Sequence, residues 1–131
     1  MCIRDSINIA LYEAGSGAPY SVSSTVYSSG VANQVSGTGY TTNGKVLQNA
    51  VVANQTNVAT LTFDAISWTS ATFGAAYGVI FNDTDGDKLV VVLDFGGTKS
   101  CSNGTFTITF PSTSSSGPGA AGTNSLISIS S

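Results

Sequence analysis

The chain has 131 residues, of which 41% are hydrophobic and only 8% charged, with a formal net charge of -3 at pH 7. A length of this order predicts one domain that buries roughly two thirds of its unfolded surface. The four basic residues are scattered, which excludes a nucleic-acid surface, and no stretch supplies the roughly 20 apolar residues of a membrane helix.

The first residues divide into a short opening segment and a predicted strand. Residues 1–6, Met-Cys-Ile-Arg-Asp-Ser, resemble a scar of library or adapter sequence, and we place the native β-domain at residues 7–110. From Ile7, apolar residues recur at every second position, which predicts a strand of about six residues. Residues 20–30 show no clear period, so strand, irregular arm and short helical turn all stay open.

The next segment contains the glycines of a shaped loop. Asn43 and Gly44 predict a turn with positive φ, and Gly37 and Gly39 allow bulges or close backbone approach. This loop is expected to enter a strand at residues 46–52. After a polar turn at residues 54–57, a half-buried strand is predicted over residues 58–63, where apolar residues alternate with threonines.

A β-hairpin over residues 77–95 is predicted to be the centre of the fold. Two apolar, β-branched runs flank a loop of Asn, Asp, Thr and Gly, which is the composition of a hairpin turn. Residues 89–93 are apolar at every position, so this strand is expected to be covered on both faces.

The last third of the chain contains the clearest strand and a linker. Glycine-rich residues 96–97 and 102–104 are expected to bracket a turn before a strand at residues 105–110, in which Phe and Ile alternate with Thr. Residues 111–125 have the Ser, Gly and Pro composition of a linker. In the terminal strand, residues 126–131, the apolar Leu126, Ile127 and Ile129 could close the sheet edge or bind a neighbouring subunit.

These elements predict an all-β protein, a single antiparallel β-sandwich of about seven or eight strands. The abundance of Ser, Thr, Val, Ala and Gly and the scarcity of charge favour strands over helices. Cys2 and Cys101 could pair only if the first residues fold back onto the late strands, and nothing in the sequence demands it.

The acidic loop at Asp83, Asp85 and Asp87 is the one candidate metal site. Carboxylates at alternate positions are typical of short loops that wrap calcium. The glycine falls at position four instead of six, and no Glu closes the loop at position twelve, so the register does not fit an EF-hand. We therefore favour a solvated hairpin turn over a weak calcium site.

Catalytic chemistry has few residues available, and we expect no enzymatic activity and no cofactor. The chain contains no histidine, the usual base that activates Ser or Cys. Asp64 and Asp94 have no identifiable partner and are expected to accept hydrogen bonds from backbone amides.

The aromatic residues could form a sugar-binding platform, although core packing is the commoner use of a lone tryptophan such as Trp68. The platform would comprise Trp68, Tyr77, Tyr12, Tyr20 and Tyr40.

Taken together, the motifs resemble a family of small proteins encoded among the structural genes of tailed bacteriophages. The resemblance covers roughly residues 7–110 and rests on Ile-Asn-Ile-Ala-Leu-Tyr (7–12), Val-Ser-Gly-Thr-Gly-Tyr (35–40), Asp-Ala-Ile-Ser-Trp (64–68), Ala-Tyr-Gly-Val-Ile-Phe-Asn-Asp (76–83), Leu-Asp-Phe-Gly-Gly (93–97) and Asn-Gly-Thr-Phe-Thr-Ile (103–108). It implies a β-sandwich component of the virion, on the head surface or near the tail. The implied partners are other virion proteins or further copies of the chain, and the oligomeric state stays open.

A second class of function is an extracellular carbohydrate-binding or adhesion module. It would use exposed tyrosines, and calcium bound by the acidic loop. Glycan binding that a chelator abolishes would favour this alternative.

Overall fold

The computed structural model of the chain describes residues 5–15, 17–21, 23–55, 58–110 and 128–130. Across these residues there are strands, turns and bends but no helix, and every strand pair is antiparallel, so the all-β prediction is confirmed. The strands are β1 (Ile7–Tyr12), β2 (Lys45–Val46), β3 (Val51–Gln55), β4 (Val58–Thr62), β5 (Ile66–Asn82), β6 (Lys88–Thr109) and β7 (Ser128–Ser130).

Five of these strands form one sheet, and the other two form a separate hairpin. The sheet order is β2-β1-β5-β6-β7, and the hairpin pairs β3 with β4. Strand β5 is central: it pairs with β1 from Tyr77 to Asn82 and with β6 along most of its length. The predicted hairpin at residues 77–95 is therefore present, as part of a longer hairpin whose turn spans residues 83–87.

Strand β1 and residues 79–81 of β5, and not the start of β6, are buried on both faces of the sheet. Ile9 and Leu11 face one hydrophobic cluster, Ala10 and Tyr12 face a second cluster, and all four are fully buried. The prediction that residues 89–93 are covered on both faces is wrong. That part of β6 has a strand partner on one side only, so its apolar run remains partly in solvent.

The larger cluster is built around Trp68, Phe73 and Phe106, which lie in edge-on or tilted contact with ring centroids 5.1–6.2 Å apart. Trp68 and Phe106 are fully buried, as is Ile108. The alternating strand predicted over residues 105–110 is thus confirmed as the end of β6, where Phe106 and Ile108 face the core. The smaller cluster lies on the opposite side of β1 and is built around Tyr12, Tyr27 and Phe81.

The turn predicted between the glycine-containing segments 96–97 and 102–104 is absent, because β6 continues through both segments. Gly96 and Gly97 have φ angles of 69° and 128°, which L side chains rarely adopt. The β5–β6 ladder resumes beyond them, with Tyr77 opposite Asp94 and Ala75 opposite Lys99. Because the extra residues bulge outward while pairing continues on both sides, β6 remains one bent strand.

The strand predicted over residues 46–52 is interrupted. Asn49 has a φ of 52°, a left-handed conformation that breaks strand geometry between β2 and β3. Leu47 is 5% exposed, and its N–H donates to the Ile7 carbonyl oxygen at 2.7 Å. Burial of Leu47 turns the chain inward at this point and separates the two short strands.

The loop glycines behave as expected. Asn43 and Gly44 both have positive φ, at 69° and 78°. A Cβ on Gly37 would lie within contact of the Thr72 carbonyl oxygen, and a Cβ on Gly39 would meet Ala71 at 3.0 Å. These positions let the loop pack directly on β5, where Thr72 N–H donates to the Thr38 carbonyl oxygen at 3.0 Å.

The described part of the terminal segment, β7 (Ser128–Ser130), lies on the sheet edge beside β6. Leu126 and Ile127 fall outside the described residues. Ile129, in β7, pairs with Ile108 of the same chain. The assignment of these three residues to partner binding stays a prediction.

Candidate interaction edge

The outer edge of β6 is the most extended backbone surface that the sheet leaves open. β6 pairs with β7 only over Thr107–Thr109, and near its start it meets residues 25–27 through a bridge between Val26 and Lys88. Within the part of the chain that the structure describes, no strand pairs with the outer edge between residues 90 and 106. Unpaired N–H and C=O groups in such a row form a template for another strand.

Exposed apolar side chains lie at the start of this open edge. Val90 is 40% exposed and Val91 41%, and Val26, at the covered end, is 52% exposed. The ladder runs from the pair Phe81–Leu89 directly to Ile80–Val91, so Val90 is an extra residue in β6. A bulge of this kind bends the strand and places both valines in solvent.

Residues 25–27 are held against the start of β6 by backbone bonds and by one aromatic stack. Leu89 N–H donates to the Thr25 carbonyl oxygen at 2.9 Å, and Tyr27 N–H donates to the Asp87 carbonyl oxygen at 2.7 Å. The Tyr27 ring lies on Phe81, with centroids 3.8 Å apart and planes 2° from parallel. The open edge therefore begins where this segment ends.

A network of hydroxyls and amides ties the same segment to the central sheet. Tyr27 donates its hydroxyl to Asn43 Oδ1 at 3.0 Å and accepts from Gln34 Nε2 at 3.3 Å. Gln34 Nε2 also donates to the Tyr40 hydroxyl, which in turn accepts from the Leu11 N–H at 2.9 Å. These bonds connect the loop over residues 26–44 with β1.

Burial raises the pKa of three tyrosine hydroxyls, those of Tyr12, Tyr27 and Tyr40, above the ordinary value of 10.0. Tyr12 Oη has no hydrogen bond of good geometry among the described residues, although the Tyr20 and Tyr27 hydroxyls lie close enough to raise its pKa further. The hydroxyls of these three tyrosines are therefore neutral at physiological pH.

The acidic turn is organised by Asn82, which sequence analysis did not single out. Asn82 is 7% exposed, and its Oδ1 accepts from the N–H groups of Thr84 and Asp85 at 3.0 and 3.2 Å. Its Nδ2 donates to Asp5 at 2.8 Å. Asn at the start of a turn commonly satisfies the following amides in this way, and this was the sequence signal available.

The three carboxylates of the predicted calcium loop do not gather at one point. The described residues contain no group of three or more acidic, histidine or cysteine side chains arranged to hold a metal ion. Asp85 instead forms an exposed ion pair with Lys88 at 2.8 Å. A weak calcium site at Asp83, Asp85 and Asp87 stays the less favoured of the two predictions, and the described geometry matches the favoured hairpin turn.

Of the five aromatic residues considered for sugar binding, two lie in the core and three are partly buried against it. Trp68 and Tyr12 are fully buried, which confirms the core-packing interpretation of the lone tryptophan. Lys45 Nζ lies 5.4 Å from the centroid of a Trp68 ring and donates to the Ser67 carbonyl oxygen at 2.6 Å, so it covers the ring from outside. Tyr40 is partly buried against the same larger cluster, with its ring centroid 6.2 Å from Trp68 and 5.6 Å from Phe73.

The two carboxylates considered for catalysis are engaged in local hydrogen bonds. Asp94 lies inside β6, at the bulge that contains Gly96, and accepts from the Gly96 N–H at 2.8 Å, which agrees with the predicted backbone-amide acceptor. Asp64 accepts from the side-chain amide of Asn49 at 2.6 Å instead of from a backbone amide.

Comparison with known proteins adds no relative: no family model, no curated protein and no solved structure matches the chain. None of the described residues belongs to a helix of the length and hydropathy that would cross a bilayer.

Proposed function

We propose that this chain is a non-enzymatic structural component of a tailed-phage virion, on the head surface or associated with the tail, and that it acts through contacts with other copies or other virion proteins. The motif resemblance at residues 7–110 supports the virion assignment. The observation that carries the contact mechanism is the open outer edge of β6, which begins at the exposed Val90 and Val91. Strand addition at such an edge binds a partner mainly through backbone hydrogen bonds.

The same proposal includes a β-sandwich of seven or eight strands. Side chains beside the β3–β4 hairpin support it, because Leu61 packs against the larger cluster and Phe63 contacts Phe110 with ring centroids 5.3 Å apart. The hairpin would then form part of a second layer over the main sheet.

A terminal strand that reaches the sheet edge also fits this function. In the described chain, β7 takes the edge of its own β6 beside Ile108. Residues 111–125, which have the Ser, Gly and Pro composition of a linker, lie between the end of β6 and the terminal strand in the sequence. In dilute solution, β7 of the same chain occupies this edge more readily than β7 of another copy, because the covalent connection gives it a high effective concentration. On a crowded particle surface the concentration of other copies rises, so this advantage becomes smaller.

The contact mechanism is tested by placing a charge on the open edge. Val91→Lys puts a cation on the edge strand beside which a partner strand would pair. Val46→Lys is the matched control, since Val46 is 45% exposed and lies on β2, at the opposite edge of the sheet. The measurement is sedimentation of the full-length protein over a concentration series, with thermal unfolding to verify that both variants fold.

Concentration-dependent association that Val91→Lys weakens and Val46→Lys leaves intact is the expected result. Association equally sensitive to both changes, or none at any concentration and none with tailed particles, would reject the edge mechanism. Detection of this chain by mass spectrometry in purified tailed-phage particles tests the location. Glycan binding that requires calcium would replace the virion assignment with the adhesion module.

A further inference from the structure

The chain contains two Asn-Gly dipeptides, Asn43-Gly44 and Asn103-Gly104. The surrounding structure restrains the first more strongly than the second. In this dipeptide the glycine nitrogen can attack the asparagine side chain, because no Cβ on the following residue hinders the approach. We propose that Asn103 is a site of spontaneous deamidation in the folded protein and that Asn43 is protected from it.

The reaction needs only hydroxide and water. The deprotonated Gly104 nitrogen forms a bond to Asn103 Cγ, the Cγ–Nδ2 bond breaks, and ammonia leaves with the proton it takes from solvent. The resulting succinimide is hydrolysed at one of its two carbonyls. Addition of water there gives aspartate or isoaspartate, and no oxidant or cofactor takes part.

At Asn103, the side chain is free to reach the geometry of attack. Asn103 is exposed, and none of the described residues forms a hydrogen bond with its side-chain amide. It lies in a bulge: the ladder runs from Phe73–Cys101 to Ala71–Gly104, so Ser102 and Asn103 together face Thr72 alone. The Asn103 N–H donates to the Thr72 hydroxyl at 2.9 Å in place of a ladder carbonyl, and regular pairing resumes only at Gly104, opposite Ala71.

At Asn43, both reacting groups are held. Its Oδ1 accepts from the Tyr27 hydroxyl at 3.0 Å, and the Gly44 N–H donates to the Thr41 carbonyl oxygen at 2.9 Å. Gly44 also packs directly against the carbonyl of Ile9, leaving no room for the peptide to turn. The hydrogen-bonded nitrogen cannot attack Cγ unless this loop leaves β1.

The test follows both sites in the same sample of full-length protein at mildly alkaline pH. Peptide mass mapping with isoaspartate detection measures each rate, once in the folded protein and once in concentrated urea. Asn103 should convert severalfold faster than Asn43 when folded, and the two rates should become similar in urea.

Gly104→Ala is the matched variant. An added Cβ would have only the Ser102 carbonyl oxygen nearby, at 3.8 Å, and Gly104 does not have positive φ, so the variant should fold normally. It should slow conversion at Asn103 severalfold without changing Asn43. The proposal is overturned if Asn43 converts as fast as Asn103 in the folded protein, or if Asn103 remains intact while the unfolded chain converts.

Discussion

Tyr27 stacks on Phe81 with their rings 2° from parallel and 3.8 Å apart, and this contact joins a loop without regular secondary structure to the central strand of the sheet. Tyr27 is 6% exposed and Phe81 1%. Since the backbone of residues 25–27 covers the start of β6, the stack determines where the open edge begins.

Replacing Tyr27 by Ala should destabilise the protein by about 3 kcal/mol, because a buried aromatic ring and its stacking partner are lost. Tyr27→Phe keeps the ring and loses the hydroxyl bonds to Asn43 and Gln34, which should cost about 1 kcal/mol. Urea unfolding measures both values. Equal losses in the two variants would show that the hydroxyl, and not the ring, holds the loop.

Two glycines with positive φ should respond differently to alanine. Gly44 and Gly86 have φ of 78° and 62°, but a Cβ on Gly44 would lie on the Ile9 carbonyl oxygen, whereas Gly86 has open space around it. Gly86→Ala should cost about 1 kcal/mol from left-handed strain alone. Gly44→Ala should cost at least about 4 kcal/mol, since the backbone must move as well. Thermal or chemical unfolding distinguishes the two, and similar losses would argue against the close packing of Gly44.

The single tryptophan is a probe of the larger cluster. Because Trp68 is fully buried and Lys45 covers it, its native fluorescence should be blue-shifted and quenched little by acrylamide. Lys45→Ala removes the cover and should raise the quenching constant while the emission stays blue-shifted. Strong quenching in the unmodified protein would contradict the buried position.

Alkaline pH should destabilise the fold through its tyrosines. Burial raises the pKa of Tyr12, Tyr27 and Tyr40 in the folded state above the unfolded value near 10.0, so the folded state holds these protons more tightly. The associated stability is fully present below pH 10.0 and is lost as the pH rises above it. Unfolding free energies measured across this range should fall, and the absorbance of ionised tyrosine should appear together with unfolding.

Tyr12→Phe is the control for this pH dependence. It removes one of the three groups, so the loss of stability above pH 10.0 should become shallower. At neutral pH the variant should be as stable as the parent or more so, because a buried hydroxyl without a good partner costs free energy. A large loss at neutral pH would show that this hydroxyl is satisfied after all.

Calcium should leave the melting temperature unchanged. Asp85 is paired with Lys88, and the described carboxylates do not converge, so we expect no tight site at the turn. Melting in excess calcium and in chelator measures this directly. A rise with calcium that Asp83→Asn abolishes would establish the predicted site, because a ligand that binds only the folded state raises its stability.

Local pattern was sufficient for several elements. The alternation of apolar residues predicted β1 and the end of β6 that contains Phe106. The dipeptide Asn43-Gly44 predicted a turn with positive φ. Both signals depend only on residues that are neighbours in the sequence. The sequence also identified the acidic turn at Asp83, Asp85 and Asp87, but it did not predict the ion pair between Asp85 and Lys88.

Tertiary structure decided which apolar runs are buried and which residues meet. Residues 89–93 are as apolar as β1, yet β1 lies between two strands and two clusters, while residues 89–93 have β5 as their one neighbouring strand in the described structure. The place of Tyr27 against Phe81 depends on residues 54 positions apart, and no periodicity within either segment encodes it. Burial, strand order and the open edge depend on contacts between residues far apart in the chain, so local sequence pattern could not reveal them.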